Sequence, residues 1–138
     1  MKTNVHGLMP LVAGVACLLL GVSSCNRPIT DAVMVPRQPR IEPDYAGIAI
    51  PPNIAPLNFR VMETGSLFQV RLSSPATPPL MCSSRNGSIR FPARAWRRFI
   101  EANRNRSFTV EVSVRQRDGK WAAFAVATNR VAADPVDS

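Results

Sequence analysis

The stretch "SFTVEVSVRQRDGKWAAFAVATN", residues 107–129, decides the fold. Phe108, Val110, Val112 and Val114 alternate with polar residues, so an extended chain turns all four to one face. Asp118-Gly119 interrupts the run, and an apolar segment returns from Trp121. Register fixes the length of the connection. A two-residue turn would set Val112 opposite Ala125 and leave Phe124 and Val126 on the polar side. A three-residue loop, Arg117 to Gly119, instead pairs Val114 with Ala122, Val112 with Phe124 and Val110 with Val126. That loop is a type I turn with Gly119 in the left-handed bulge position. Since a one-residue slip would expose the whole apolar set, the three-residue loop is expected.

Two further hairpins are expected upstream. Leu57, Phe59 and Val61 share one strand face, and Phe68, Val70 and Leu72 share another. A turn at Thr64-Gly65 would pair Val61 with Phe68, Phe59 with Val70 and Leu57 with Leu72, apolar against apolar throughout. Gly65 would supply the positive φ of such a turn. In "LMCSSRNGSIRF", residues 80–91, the Asn86-Gly87 pair predicts a turn that would set Cys82 opposite Phe91. Between the hairpins lies "PARAWRRFIEANR", residues 92–104. Pro92 suits a first helical position. Trp96, Phe99 and Ile100 would form one apolar face, with Arg94, Arg97, Arg98 and Glu101 pointing elsewhere. Trp96 is expected in the core. Arg104 and Arg106 suit the negative end of the helix dipole.

About six strands and one helix within ninety residues give a mainly β chain, a small β-sandwich-like domain of antiparallel hairpins over residues 44–133. Before the first hairpin, Tyr45 to Val61 is too apolar for a free linker. Pro51, Pro52 and Pro56 forbid a helix there, so an extended strip is expected, strand-like from Gly47 to Ile50 and laid over a core or at a sheet edge. Residues 25–43 mix prolines and charges without a sustained period. They read as a semi-extended tether, with a reach of roughly 55 Å in the polyproline conformation.

The first 24 residues read as an export signal. A short positive start precedes "LMPLVAGVACLLLGV", residues 8–22, which carries no charge. At 1.5 Å per residue that run gives roughly 22 Å, short of the ~30 Å hydrocarbon core. It ends in "VSSC", residues 22–25, an aliphatic residue, two small ones and a cysteine. This resembles the bacterial lipobox. The resemblance implies cleavage before Cys25, lipid on its thiol and a membrane anchor. Asn26 gives no inner-membrane retention signal, so the outer membrane is the expected location. Cys17 would leave with the signal, and Cys82 would remain as a lone thiol in an apolar setting, with no internal disulfide to form.

The 138 residues carry a formal net charge of +8, and 17 basic residues face nine acidic ones. Seven arginines lie from Arg85 to Arg106: Arg85, Arg90, Arg94, Arg97, Arg98, Arg104 and Arg106. Arginine grips phosphate and carboxylate with a two-pronged fork. Arg94, Arg97, Arg98, Arg104 and Arg106 are therefore the candidate anion-binding residues. Outside the cytoplasm the partner would be an acidic glycan, a lipopolysaccharide phosphate or an acidic envelope protein, and not nucleic acid. No reaction is legible. The one histidine, His6, lies in the signal, so the mature chain has no imidazole for nucleophilic or metal chemistry. No cofactor motif is present. Glu63, Glu101 and Glu111 lie on separate predicted elements, whereas a glycosidase needs two acids about 5–9 Å apart.

Four segments, "DYAGIAIPPNIAPLNFRV" (44–61), "IRFPARAWRRFIEANR" (89–104), "DGKWAAF" (118–124) and "ADPVDS" (133–138), resemble the N-terminal region of secreted bacterial lipoproteins that continue into a TolB-like, WD-repeat-like β-propeller. The resemblance implies an envelope location and a β-sandwich-like cap, without naming a substrate. No propeller follows in this sequence. The expectation is either a chain cut short in its 134–138 tail or a free-standing cap. Together these readings predict a non-enzymatic, lipid-anchored partner-binding domain, with a polyanion- or glycan-binding module as the alternative.

Overall fold

The computed structural model describes residues 29–137. The signal segment, Cys25 and the start of the tether lie outside the described residues. Ten strands and one helix follow in order: β1 (Ala32–Val35), β2 (Ile41–Glu42), β3 (Ala49–Ile50), β4 (Phe59–Val61), β5 (Leu67–Ser74), β6 (Thr77–Ser84), β7 (Ser88–Ile89), α1 (Ala93–Ala102), β8 (Ser107–Arg115), β9 (Trp121–Phe124) and β10 (Ala127–Val131). The fold is a small, mainly β domain, as the alternation predicts.

Strand β8 is the spine. One edge pairs with β5 from Thr109 to Arg115, and the other with β9 and then β10. Beyond β5 lies β6, and beyond β9 and β10 lie β1 and β3, both parallel to their neighbours. A second, three-stranded sheet runs β2-β4-β7. The core lies between the two sheets and α1. Val70, Val112 and Val114 of the large sheet, Phe59, Val61 and Ile89 of the small one, and Trp96, Phe99 and Ile100 of α1 are all buried there. Each such side chain contributes roughly 1.5–3 kcal/mol on burial.

The β8–β9 hairpin forms as expected, with Val114 opposite Ala122. Gly119 takes φ +85°, and its N–H closes the turn on the Gln116 carbonyl at 3.0 Å. Register then slips by one residue, so that Ala127, not Val126, faces Val110. The extra residue at Ala125–Val126 is a bulge. It leaves Val126 47% exposed and frees the Ala125 N–H to donate to the Arg37 carbonyl at 2.9 Å.

The other two hairpins do not form. Strand β4 pairs with β2 and β7 and never with β5. Strand β5 pairs with β8, setting Phe68, Val70 and Leu72 against Val114, Val112 and Val110. That register also places apolar against apolar, so the side-chain pattern is equally satisfied. Residues 62–66 instead carry the chain from one sheet to the other. Gly65 lacks the positive φ expected of it and is required by a close approach. A Cβ there would lie 2.7 Å from the Arg115 carbonyl oxygen and inside the Val114 side chain.

The Asn86-Gly87 turn is present, with Gly87 at φ +83°. It joins β6 to β7, which belong to different sheets. Cys82 therefore faces Val70 across the β5–β6 ladder, not Phe91. Pro78 and Pro79 lie in β6, an outermost strand, where missing backbone donors cost little.

The tether expected at residues 25–43 is not free along its length. Ala32–Val35 is a strand of the large sheet, and Ile41–Glu42 a strand of the small one. Such short pieces are too brief to show a period. The extended strip behaves as expected: Ile50, 1% exposed, pairs beside Val131 at the sheet edge.

Candidate functional site

Helix α1 divides into two faces. Trp96, Phe99 and Ile100 are buried. The Phe99 ring meets Phe108 edge-on at 5.3 Å, and Trp96 stacks on Phe91 at 5.7 Å. The Trp96 indole N–H donates to the Ile54 carbonyl at 3.1 Å. These contacts fix the rotation of the helix about its axis. Pro92 takes the N-cap position, one residue before the expected one. At the far end Asn103 is fully buried, and its side-chain amide donates to the Phe99 carbonyl at 2.7 Å.

The opposite face carries Arg94, Arg97, Arg98 and Glu101, at helical spacings of three, four and seven. The three arginines are exposed and make no ion pair among the described residues. The placement of Arg94 and Arg98 works against the helix. Arg94 lies in the first turn, where the dipole disfavours a cation, and no acidic residue offsets it there. Arg94 and Arg98 are a like-charge pair one turn apart, destabilising by about 0.2–0.5 kcal/mol.

Arg104 does not join this stripe. Its guanidinium donates to both Glu101 oxygens, at 2.9 and 3.0 Å, and the carboxylate holds its pKa above the ordinary value. Arg106 follows the helix, beyond Asn105 at φ +56°, and is exposed. Arg85 and Arg90 flank β7. Next to them, on the small sheet, Arg60 and Arg90 border an open groove of about 280 Å³ with Asn58 and Ser88. The sequence does not single out Arg60, because its neighbours in space come from β7 and not from the chain around it.

The remaining features are structural. Glu63, with its side chain 6% exposed, accepts a fork from Arg37 at 2.7 and 3.0 Å and the Arg40 backbone N–H at 2.8 Å. The Arg37 bond lowers its pKa, burial opposes this, and Arg40 adds to the lowering. Glu111 lies 3.8 Å from Arg71. Each of the three glutamates considered for acid chemistry thus faces its own arginine. Cys82 is half-buried, and its thiol donates to the Arg90 carbonyl at 3.3 Å. A small core cavity of about 20 Å³ between Tyr45, Leu72, Trp96 and Asn129 has room for one water molecule. Among the described residues no three metal-ligating side chains come together, and no helix is long and apolar enough to cross a membrane. Cys25, the lipidation candidate, lies outside the described residues.

No family model matches the chain, and neither the curated proteins nor the solved structures give a significant match.

Proposed function

We propose that this protein is a non-enzymatic, lipid-anchored module of the cell envelope that binds an acidic partner through the arginine face of α1. One observation carries the reading: Arg94, Arg97 and Arg98 make no ion pair among the described residues and stand on the outer face of a helix held by its buried inner face. Stability alone favours acidic residues in the first turn of such a helix. Arg94 in that turn, and its like-charged neighbour Arg98 one turn on, cost free energy that a bound anion would recover. Guanidinium groups fit carboxylate, sulfate and phosphate oxygens in pairs. The lipobox-like "VSSC" supports an anchor at Cys25 and, with it, an acidic glycan or acidic envelope protein as the partner class. The resemblance to caps of TolB-like propeller lipoproteins supports the same location.

The test is binding to a sulfated acidic polysaccharide, heparin, over a salt titration. The parent is expected to bind with an affinity that falls as salt rises. The triple variant Arg94→Ala, Arg97→Ala, Arg98→Ala is expected to lose that binding while keeping its circular dichroism spectrum. Equal binding by parent and variant refutes the reading.

A further inference from the structure

The lipid-anchor reading acquires an orientation once the start of the fold is known. A free tether of residues 25–43 would let the domain take any attitude to the membrane. The structure removes that freedom early, because β1 pairs with β9 from Ala32 onward. Seven peptide steps separate Cys25 from Ala32, and four separate it from Ile29. At ~3.5 Å per step these span at most about 25 Å and 14 Å.

The chain enters beside a groove with apolar side chains at its rim. Ile29 and Ala32 border a groove of about 190 Å³ on the large sheet. Its floor includes Gln69, Glu111, Ser113 and Ala123, the residues alternating with those that point into the core. It is therefore the face of the sheet turned away from α1. Met34, 68% exposed, and Val126, 47% exposed, stand at this groove. The charges there, Arg71 and Glu111, pair with each other at 3.8 Å. The groove is thus apolar at its rim, and the two charges that line it are paired.

We propose that this face of the large sheet lies against the bilayer that holds the Cys25 lipid, with Met34 and Val126 at the headgroup boundary. The proposal rests on the lipid-anchor reading above. The occupant follows from the length of the leash and the point where it joins. A lipidated cysteine sits at the interface, and some 14 Å of chain cannot pass around a body whose radius of gyration is about 13 Å. The groove beside Ile29 is the surface that so short a leash presents to the lipid. With this face on the membrane, α1 points away from the bilayer, and its arginines face a partner in the aqueous space and not the headgroups beneath.

The experiment uses the full chain, processed in a bacterial host and purified as the mature protein. Intact mass reads acylation of Cys25. In a Cys82→Ser background, Met34→Cys, Val126→Cys and Ala102→Cys each receive a bimane label. The proteins are placed in vesicles of phosphatidylethanolamine and phosphatidylglycerol containing a spin-labelled lipid quencher. Loss of fluorescence is expected at positions 34 and 126, and none at 102, which is exposed at the end of α1. Acylated protein that shows no loss at 34 and 126, or a loss at 102, overturns the orientation alone. An unmodified Cys25 overturns the anchor reading, and this inference with it.

Discussion

Replacing Glu63 by glutamine tests how the first strands are held to the body. Glu63 lies in the crossing between the two sheets and accepts three short hydrogen bonds, two from Arg37 and one from the Arg40 backbone. Arg37 in turn lies 5.0 Å over the Phe124 ring, and its carbonyl receives the N–H of the bulge residue Ala125. Glutamine keeps one carbonyl oxygen and can still receive the Arg40 N–H. It loses the charge and half of the fork. A hydrogen bond to a charged group contributes about 1.5–3 kcal/mol. The Arg37 side chain is 51% exposed, so water screens its part. The expected loss is therefore about 1.5 kcal/mol at neutral pH. With a urea slope near 1.5 kcal/mol per molar, the midpoint falls by about 1 M.

The pH dependence supplies the sharper readout. The pKa of Glu63 is lowered in the folded state from an ordinary 4.5, so the folded protein binds its proton less readily than the unfolded chain. Its stabilisation is complete above that ordinary value and is lost as pH falls through the lowered one. Urea titrations of parent and Glu63→Gln should differ fully at pH 7 and converge in acid. A gap that stays constant from neutral pH down to about pH 3 would refute the charge-based account and leave only a shape effect.

Other outcomes follow from the packing. Ile100→Ala removes a fully buried side chain from the inner face of α1 and should cost about 2–5 kcal/mol in urea unfolding. A smaller loss would mean that the helix is not anchored through this residue. Gly65→Ala should destabilise by about 1–3 kcal/mol, because the added methyl group meets the Arg115 carbonyl and the Val114 side chain. A neutral result by thermal melting would show that the crossing can shift. Trp96→Phe keeps the ring in the core but removes the donor to Ile54. It should cost about 0.5–1.5 kcal/mol by chemical denaturation, and no cost would mean that this bond does not hold the strip.

The candidate site was legible in part. Helical spacing separated Arg94, Arg97 and Arg98 from the buried Trp96, Phe99 and Ile100, since a period of 3.6 residues is a local property. Nearness in sequence alone groups Arg104 with them. Its geometry commits it to Glu101, one turn earlier. The importance of Glu63 was invisible, because both of its partners lie more than twenty residues away in a segment without any period.

Alternation along the chain determined that this protein is mainly β, which faces are buried, and how β8 turns into β9, where the loop is three residues long. It could not choose partners. Phe68, Val70 and Leu72 meet apolar residues equally well against Leu57, Phe59 and Val61 or against Val110, Val112 and Val114. Only the assembled structure decided, by assigning β4 and β5 to opposite sides of one core. Burial is a demand each strand makes alone, and pairing is settled by which edges remain free once every strand has been placed.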